Sequence, residues 1–252
     1  MSEALPEVTP LLVLGCGLAA LFAGISKGGF GSGAAFGASA ILAVVIPPGA
    51  ALGIMLPILM LIDAVTLKPY WRRWSWLDTK ILIAGAVPGV ALGAWLYTQV
   101  SSDVIRVIIG AVALLFVAWQ VIKDRLSLGG HLPLWTGGIA GIVTGFTSFI
   151  SHAGGPPAAV YMLSRGMDKT TYQASTVLLF WIVNIAKFIP YAFLGLFTWQ
   201  TLVIDLFIVP FALLGAWIGV KAHHRVPERL FFALTYLFLI ITGAKLVWDG
   251  LT

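Results

Sequence analysis

Two stretches of the sequence, Pro88–Trp95 (PGVALGAW) and Pro210–Trp217 (PFALLGAW), place proline, glycine, alanine and tryptophan at the same relative positions. This repetition predicts that the chain contains one structural unit twice. We place the first unit at residues 1–126 and the second at residues 127–252. Corresponding positions in the two units are therefore expected to have related structural roles.

The composition is that of a membrane protein. Of the 252 residues, 60% are hydrophobic and 10% are charged, and the mean hydropathy is +0.99. An ordinary soluble domain has about 25% charged residues, so this chain has too little polar surface to face water. The first residues lack the basic region of a secretory signal, and we expect the first apolar segment to be retained. The lone cysteine, Cys16, is interpreted as a packing residue.

Apolar segments divide evenly between the two units, five in each. They span residues 11–26, 34–46, 50–67, 78–98, 104–122, 134–151, 156–164, 171–195, 199–220 and 229–248. The expected fold is therefore all-α and polytopic, with about ten helical segments that cross or enter the bilayer.

The segment at 156–164 is too short to cross a membrane. At about 1.5 Å per residue it reaches less than half of a hydrocarbon layer of about 30 Å. We therefore expect a broken or re-entrant helical hairpin in each unit, formed by segments one and two and by segments six and seven. Irregular backbone at this depth is tolerated where it is buried in protein or lines a wet cavity.

Basic residues gather on one side of the membrane when the segments are followed in order. They are Lys68, Arg72, Arg73, Lys80, Lys123, Arg125, Arg165, Lys169, Lys221, Arg225 and Arg229. The positive-inside rule makes this side cytoplasmic, so both termini are expected on the outer, periplasmic side of the inner membrane. An odd number of crossings per unit makes the units antiparallel, as in the inverted-topology repeats of secondary transporters, which bind substrate near the midplane between the repeats.

The first expected break contains Ser26, Lys27, Gly28 and Gly29. A lysine at bilayer depth is costly unless it finds water, a counter-ion or a ligand. Glycines allow close backbone approach, so the amide N–H groups here are expected to converge on an anion. The alternative is that Lys27 reaches the cytoplasmic interface from the end of the first segment.

The second expected break contains Ser151, His152, Gly154 and Gly155 and is followed by two prolines. Proline is favoured in the first turn of a helix, so a helix should begin here and direct its positive end toward the same cavity. His152 is suited to donate to an anion or to relay a proton. The alternative is a histidine that is hydrogen-bonded in the core.

The eighth segment carries Asn184 and Lys187, which share a helix face at a spacing of three. Asp63 lies close to the position that matches Asn184 by the repeat register. Lys187 is expected to provide a second positive charge for an anion, or else to form a structural ion pair with Asp205. Asp205 is accordingly either a proton-coupling carboxylate or the counter-ion of that lysine.

Motifs of enzymes and of metal sites are not found in the sequence. It contains no HExxH, P-loop or CxxC pattern, so we expect no enzyme, no metal and no cofactor. Tryptophans among the basic residues at 71–76 favour a membrane interface over nucleic-acid binding. A membrane-embedded enzyme that uses His152 and Ser151 would need a carboxylate to orient the histidine, and none lies nearby in the sequence.

The chain resembles the TauE/SafE family of sulfite and organosulfonate exporters over nearly its full length. The resemblance is carried by AGISKGGFGSG at Ala23–Gly33, by HAGGPP at His152–Pro157 and by the paired stretches at 88–95 and 210–217. It implies secondary transport of small sulfur-containing anions such as sulfite, thiosulfate or organosulfonates, usually as export from the cytoplasm.

The function expected from the sequence is therefore a secondary transporter, and an exporter, that moves a small sulfur-containing anion across the lipid bilayer by alternating access. An uncoupled anion channel and an importer of the same anions are the alternatives. Proton or sodium coupling and a homo-oligomer are both compatible with the sequence.

Overall fold

The computed structural model describes residues 8–30, 35–122, 132–223 and 228–252, with the side chains at 120–121 and 228–235 excepted. Helices dominate this part of the chain, which confirms the all-α prediction. Its ten α-helices are α1 (Pro10–Ile25), α2 (Phe36–Val45), α3 (Pro48–Leu67), α4 (Trp76–Gln99), α5 (Ser102–Ile122), α6 (Leu134–Ser151), α7 (Gly155–Ser164), α8 (Lys169–Phe193), α9 (Trp199–Ala222) and α10 (Glu228–Leu251). Residues Ser26–Phe30 extend α1 as a π-helix.

Seven helices in the described part of the chain are long and apolar enough to cross a bilayer. They are α1 with its π-helical extension, α3, α4, α5, α6, α8 and α9. Their lipid-facing surfaces carry large exposed apolar side chains such as Leu92, Phe193 and Leu206.

Helices α2 and α7 are much shorter, with ten residues each. Ten helical residues span about 15 Å, or about half of the hydrocarbon layer. Helix α7 begins at Gly155 with prolines in its first turn, as the sequence predicts.

Glycines bring α1 into close contact with α9. A Cβ atom added to Gly24 would lie 2.6 Å from the carbonyl oxygen of Ala212, and one added to Gly28 would lie 2.6 Å from that of Ala216. Because residue numbers increase together along the contact, α1 and α9 are parallel. Helices α4 and α6 make the same kind of parallel contact, in which Gly85 packs against Gly138 and Gly93 packs against Phe149.

Two other helix pairs are antiparallel. Along α3 and α8, Gly53 lies against Leu196, just beyond α8, while Asp63 contacts Asn184. Along α5 and α10, Gly110 packs against Gly243 near the middle, and Asp103 at the start of α5 lies against the end of α10. The third helices of the two sequence units therefore run in opposite directions, and so do the fifth.

Candidate functional site

A cluster of polar side chains is buried where the π-helical segment, α3, α6 and α8 meet. It contains Lys27, Asp63, His152, Asn184 and Lys187, none of which is more than 6% exposed. All five were candidates from the sequence. We refer to these five residues as the central cluster.

Asp63 joins three elements in one part of the central cluster. Lys27 Nζ lies 2.6 Å from Asp63 Oδ1 and 2.7 Å from Oδ2. The Asn184 amide donates a hydrogen bond of 2.7 Å to Oδ2. Lys27 is therefore paired inside the helix bundle and does not reach the protein surface, where the alternative interpretation would place it. Asp63 and Asn184, which lie at nearly matching positions of the two sequence units, are therefore in direct contact.

Lys187 occupies the other part of the central cluster. Its Nζ lies 3.0 Å from the Ser148 carbonyl oxygen, 3.1 Å from Ser148 Oγ and 2.8 Å from His152 Nδ1. These three acceptors match the three donors of an ammonium group. No carboxylate of the described residues lies within ion-pair distance of Lys187.

Asp205 on α9 is buried apart from these contacts. It is 7% exposed, and neither carboxylate oxygen has a hydrogen-bond partner among the described residues. The structural ion pair between Lys187 and Asp205, one of the two alternatives from the sequence, is not formed in this structure. The burial of Lys187 and the burial of Asp205 therefore need separate explanations.

The first break differs from its expected form. Between Ser26 and Phe30 the backbone stays helical, and its carbonyl groups, not its amides, meet side chains from other elements. The bonds run from Gln173 Nε2 to Lys27 O, from Tyr70 Oη to Gly28 O at 2.8 Å and from His223 Nδ1 to Gly29 O at 2.6 Å. The expected convergence of amide N–H groups on an anion stays a prediction, and residues 31–34 lie outside the described part of the chain.

Gly28 and Gly29 have a packing role. Their Cα atoms approach the backbone of α9 at Ala216 and Gly219 so closely that neither position has room for a Cβ atom. The close approach that the sequence suggested is therefore made to a neighbouring helix.

The second break matches its expected form more closely. His152 adopts a left-handed conformation with φ of 57° and ends α6, and its backbone N–H donates to Ser148 O. Gly154 precedes α7 without a side-chain cap. Because Pro156 and Pro157 carry no N–H, the backbone donors at the start of α7 are those of Gly154 and Gly155. Gly154 itself packs against α6, and an added Cβ atom would lie 2.7 Å from Thr144 O.

Ser151 does not act on His152. Its hydroxyl group donates to Thr147 O at 2.9 Å, and its carbonyl group accepts a bond of 3.0 Å from Ser39 Oγ on α2. A serine–histidine arrangement for nucleophilic catalysis is therefore not formed by these two residues.

Comparison with protein families gives one result that covers most of the chain. The family model described as Sulfite exporter TauE/SafE matches residues 16–246. The chain belongs to the TauE/SafE family. No curated protein and no solved structure matches it individually. Together with its seven apolar helices, membership of this transporter family makes the chain an integral membrane protein.

Several contact residues of this TauE/SafE protein were not identified from the sequence. They are Ser39, Tyr70, Ser148, Gln173, Tyr191 and His223. Ser148 could have been identified from the sequence, because it precedes His152 by about one helical turn. The others come together only through contacts between helices that are distant in sequence.

The charges of the central cluster in this TauE/SafE protein are unequal. Lys27 and Lys187 face one carboxylate, Asp63, which already pairs with Lys27. Buried charges are normally paired, because an unpaired charge loses its hydration without compensation. When Lys187 is protonated, the cluster therefore has one positive charge in excess.

Proposed function

We propose that this TauE/SafE protein is a secondary transporter that exports a small sulfur-containing anion by alternating access. The observation that carries the proposal is the burial of Lys187 without a carboxylate partner among the described residues. An anion at this position would supply the missing negative charge. Sulfite, thiosulfate and organosulfonates all provide oxygen atoms that accept hydrogen bonds from an ammonium group.

The proposed anion site lies between the two parts of the central cluster. Lys187 and His152 contact the anion on one side, and Lys27 and Asn184 lie on the other. The uncapped start of α7 adds a positive helix end, which is worth up to about 2 kcal/mol to an anion in partly buried geometry. The site residues proposed are Ser26, Lys27, Gly28, Gly29, Ser151, His152, Gly154, Gly155, Asn184 and Lys187.

An inverted-topology repeat of residues 1–126 and 127–252 is part of the proposal. Its support is the opposite direction of corresponding helices, α3 against α8 and α5 against α10. The half-length helices α2 and α7 occupy corresponding places and support a re-entrant hairpin in each unit. The basic residues support a cytoplasmic location for the loops after α3 and α7 in the inner membrane.

The two buried carboxylates have different proposed roles. Asp63 is the counter-ion of Lys27, because both of its oxygens lie within 2.7 Å of that ammonium. A carboxylate as deep as Asp205 needs a proton or a cation when no protein donor is near. Asp205 is therefore proposed as a candidate group for coupling to protons or sodium ions.

The test of transport is substrate-driven counterflow in proteoliposomes that contain the full chain. Vesicles are loaded with sulfite, thiosulfate, sulfoacetate, taurine or sulfate, and uptake of the same labelled compound is followed. A transporter accumulates label transiently above equilibrium. An uncoupled channel shows no such accumulation, and the absence of flux for every sulfur compound would contradict the proposal.

Access to the site is tested with cysteine substitutions in a Cys16→Ser background. Ser39 and Ser148 are suitable positions, because a cysteine is close in size to the serine that it replaces and both serines lie beside the central cluster. Both cysteines should react with small aqueous thiol reagents during turnover, and the transported anion should slow the reaction. Cysteines that never react would place these residues outside any aqueous pathway.

A further inference from the structure

We propose that Lys187 and His152 share a single proton and that this pair takes up the proton when the anion binds. The inference rests on the proposed function, since it names the ion that accompanies the anion in the same site. Its basis is the geometry of the contacts around the two side chains.

The hydrogen on one ring nitrogen of His152 is fixed by its partner. His152 Nε2 lies 3.3 Å from the carbonyl oxygen of Leu52 on α3. A carbonyl group only accepts, so Nε2 carries a hydrogen and donates it. In a neutral imidazole, Nδ1 is then the acceptor, and Lys187 Nζ lies 2.8 Å from it.

This arrangement excludes a doubly protonated pair. If Lys187 were an ammonium and His152 an imidazolium, two N–H donors would face each other across 2.8 Å. The pair therefore holds at most one positive charge, located on Nζ or on the ring.

The same contacts also suit a neutral pair. A neutral lysine amine has two hydrogens and one lone pair. The hydrogens serve His152 Nδ1 and the Ser148 carbonyl oxygen, and the lone pair accepts from the Ser148 hydroxyl group, which rotates to donate. Both charge states thus keep every hydrogen bond, so the pair gains or loses a proton without breaking its contacts.

The charges of the surrounding groups couple proton uptake by the pair to anion binding. From the π-helical segment and α3, Lys27 and Asp63 face the pair as an ion pair with no net charge. From α8 itself, Tyr191 donates its hydroxyl hydrogen to Phe149 O and offers no charge. The positive charge on the pair therefore faces no opposing net charge until an anion binds.

The proton balance of the step is simple. Water on the side from which the anion enters supplies a proton, one N–H bond forms on the pair, and the same bond breaks when the anion leaves on the other side. One proton then moves with each anion in the same direction.

The experiment measures proton uptake as the purified full chain binds an anion in weakly buffered detergent solution. Thiosulfate, sulfoacetate and sulfate are the probes, because none of them titrates between about pH 6 and pH 10. At the alkaline end we expect about one proton taken up per anion bound, and an affinity that falls roughly ten-fold per pH unit. At the acidic end uptake should approach zero.

Substitutions then locate the proton. Lys187→Arg keeps the positive charge at all these pH values, so the anion should bind without proton uptake. Lys245→Met is the matched control, because Lys245 pairs with Asp249 on the surface of α10 and its loss should leave uptake unchanged. The titration of the unaltered protein needs no variant, so a Lys187→Arg chain that fails to fold leaves the test intact.

Two results would overturn the inference. The first is anion binding without proton uptake in the unaltered protein, which would leave the proposed anion site standing. The second is uptake that persists in Lys187→Arg, and its loss in Asp205→Asn would then assign the proton to Asp205. A failure of every sulfur anion to bind would instead contradict the proposed function itself.

Discussion

Lys27 and Asp63, which are 36 residues apart in the chain, form a buried ion pair with Nζ 2.6 Å from Oδ1. The pair connects the π-helical extension of α1 to the C-terminal part of α3. Asn184 of α8 bonds the same carboxylate, so one side chain holds three elements together.

This ion pair is expected to be structural as well as functional. Lys27→Met should leave the Asp63 carboxylate buried with only the Asn184 amide, and the free energy of unfolding should fall by about 3–5 kcal/mol. Adding Asp63→Asn to Lys27→Met removes the unpaired negative charge and should restore most of the lost stability. Thermal unfolding of the three chains in one detergent measures this, and a stable Lys27→Met single variant would contradict it.

Lys187→Met should behave differently from Lys27→Met. It leaves no carboxylate of the described residues without its partner, so the loss of stability should be smaller than in Lys27→Met. Anion affinity should fall roughly ten-fold to a hundred-fold, since a charge-assisted hydrogen bond is worth about 1.5–3 kcal/mol. Because Lys187 and Asp205 are not in contact, adding Asp205→Asn should not rescue binding. Full rescue, measured by the same binding titration, would show that the two residues pair in the functional protein.

The glycines of the α1–α9 contact should tolerate no larger side chain. Gly29→Ala and Gly219→Ala each place a methyl group against backbone of the facing helix, which should cost about 1–3 kcal/mol by overpacking. Gly15→Ala is the matched control in α1, because nothing lies within 4 Å of its added Cβ atom. Melting temperatures that fall equally in all three variants would contradict the packing role.

Local patterns in the sequence predicted the helices and the break before α7. The apolar runs indicated the membrane-spanning helices, and the glycine–proline sequence after His152 indicated the start of α7. The repeat register also placed Asp63 close to the position that matches Asn184. These features depend on neighbouring residues or on comparison of the two halves, both of which the sequence contains.

Long-range packing explains what the sequence did not predict. The partner of Lys27 and the role of Gly29 depend on which helices lie beside α1. His223 bonds the Gly29 carbonyl group from 194 residues away, and no local pattern identifies such a contact. A glycine that leaves room for a ligand and a glycine that leaves room for a neighbouring helix look the same in the sequence. The sequence therefore could not distinguish an anion-binding role of Gly28 and Gly29 from a packing role.

Tyr70, in the connection between α3 and α4, gives a pH-dependent prediction. Burial raises the pKa of its hydroxyl group from 10.0 to about 12. Its contribution to stability should therefore be complete below about pH 10 and should disappear as the pH rises toward about 12. Tyr70→Phe removes the bond to Gly28 O and the titration together. The difference in melting temperature between the two proteins should shrink over this range, and a constant difference would contradict the assignment.

The orientation in the membrane should follow the basic residues. The antiparallel helix pairs fix directions only relative to each other, so sidedness depends on the charges of the loops. A reporter fused after Arg73, in the basic connection between α3 and α4, should be active as a cytoplasmic reporter. Fusions after Ser101 and at the C-terminus should be active as periplasmic reporters, because α4 and α10 are each expected to cross outward. The Ser101 fusion tests the crossing of α4 independently of the later helices. A cytoplasmic C-terminus together with a periplasmic Ser101 would require an odd number of crossings after Ser101. With α5 crossing inward, the second unit would then cross an even number of times, and the two units would not be inverted repeats.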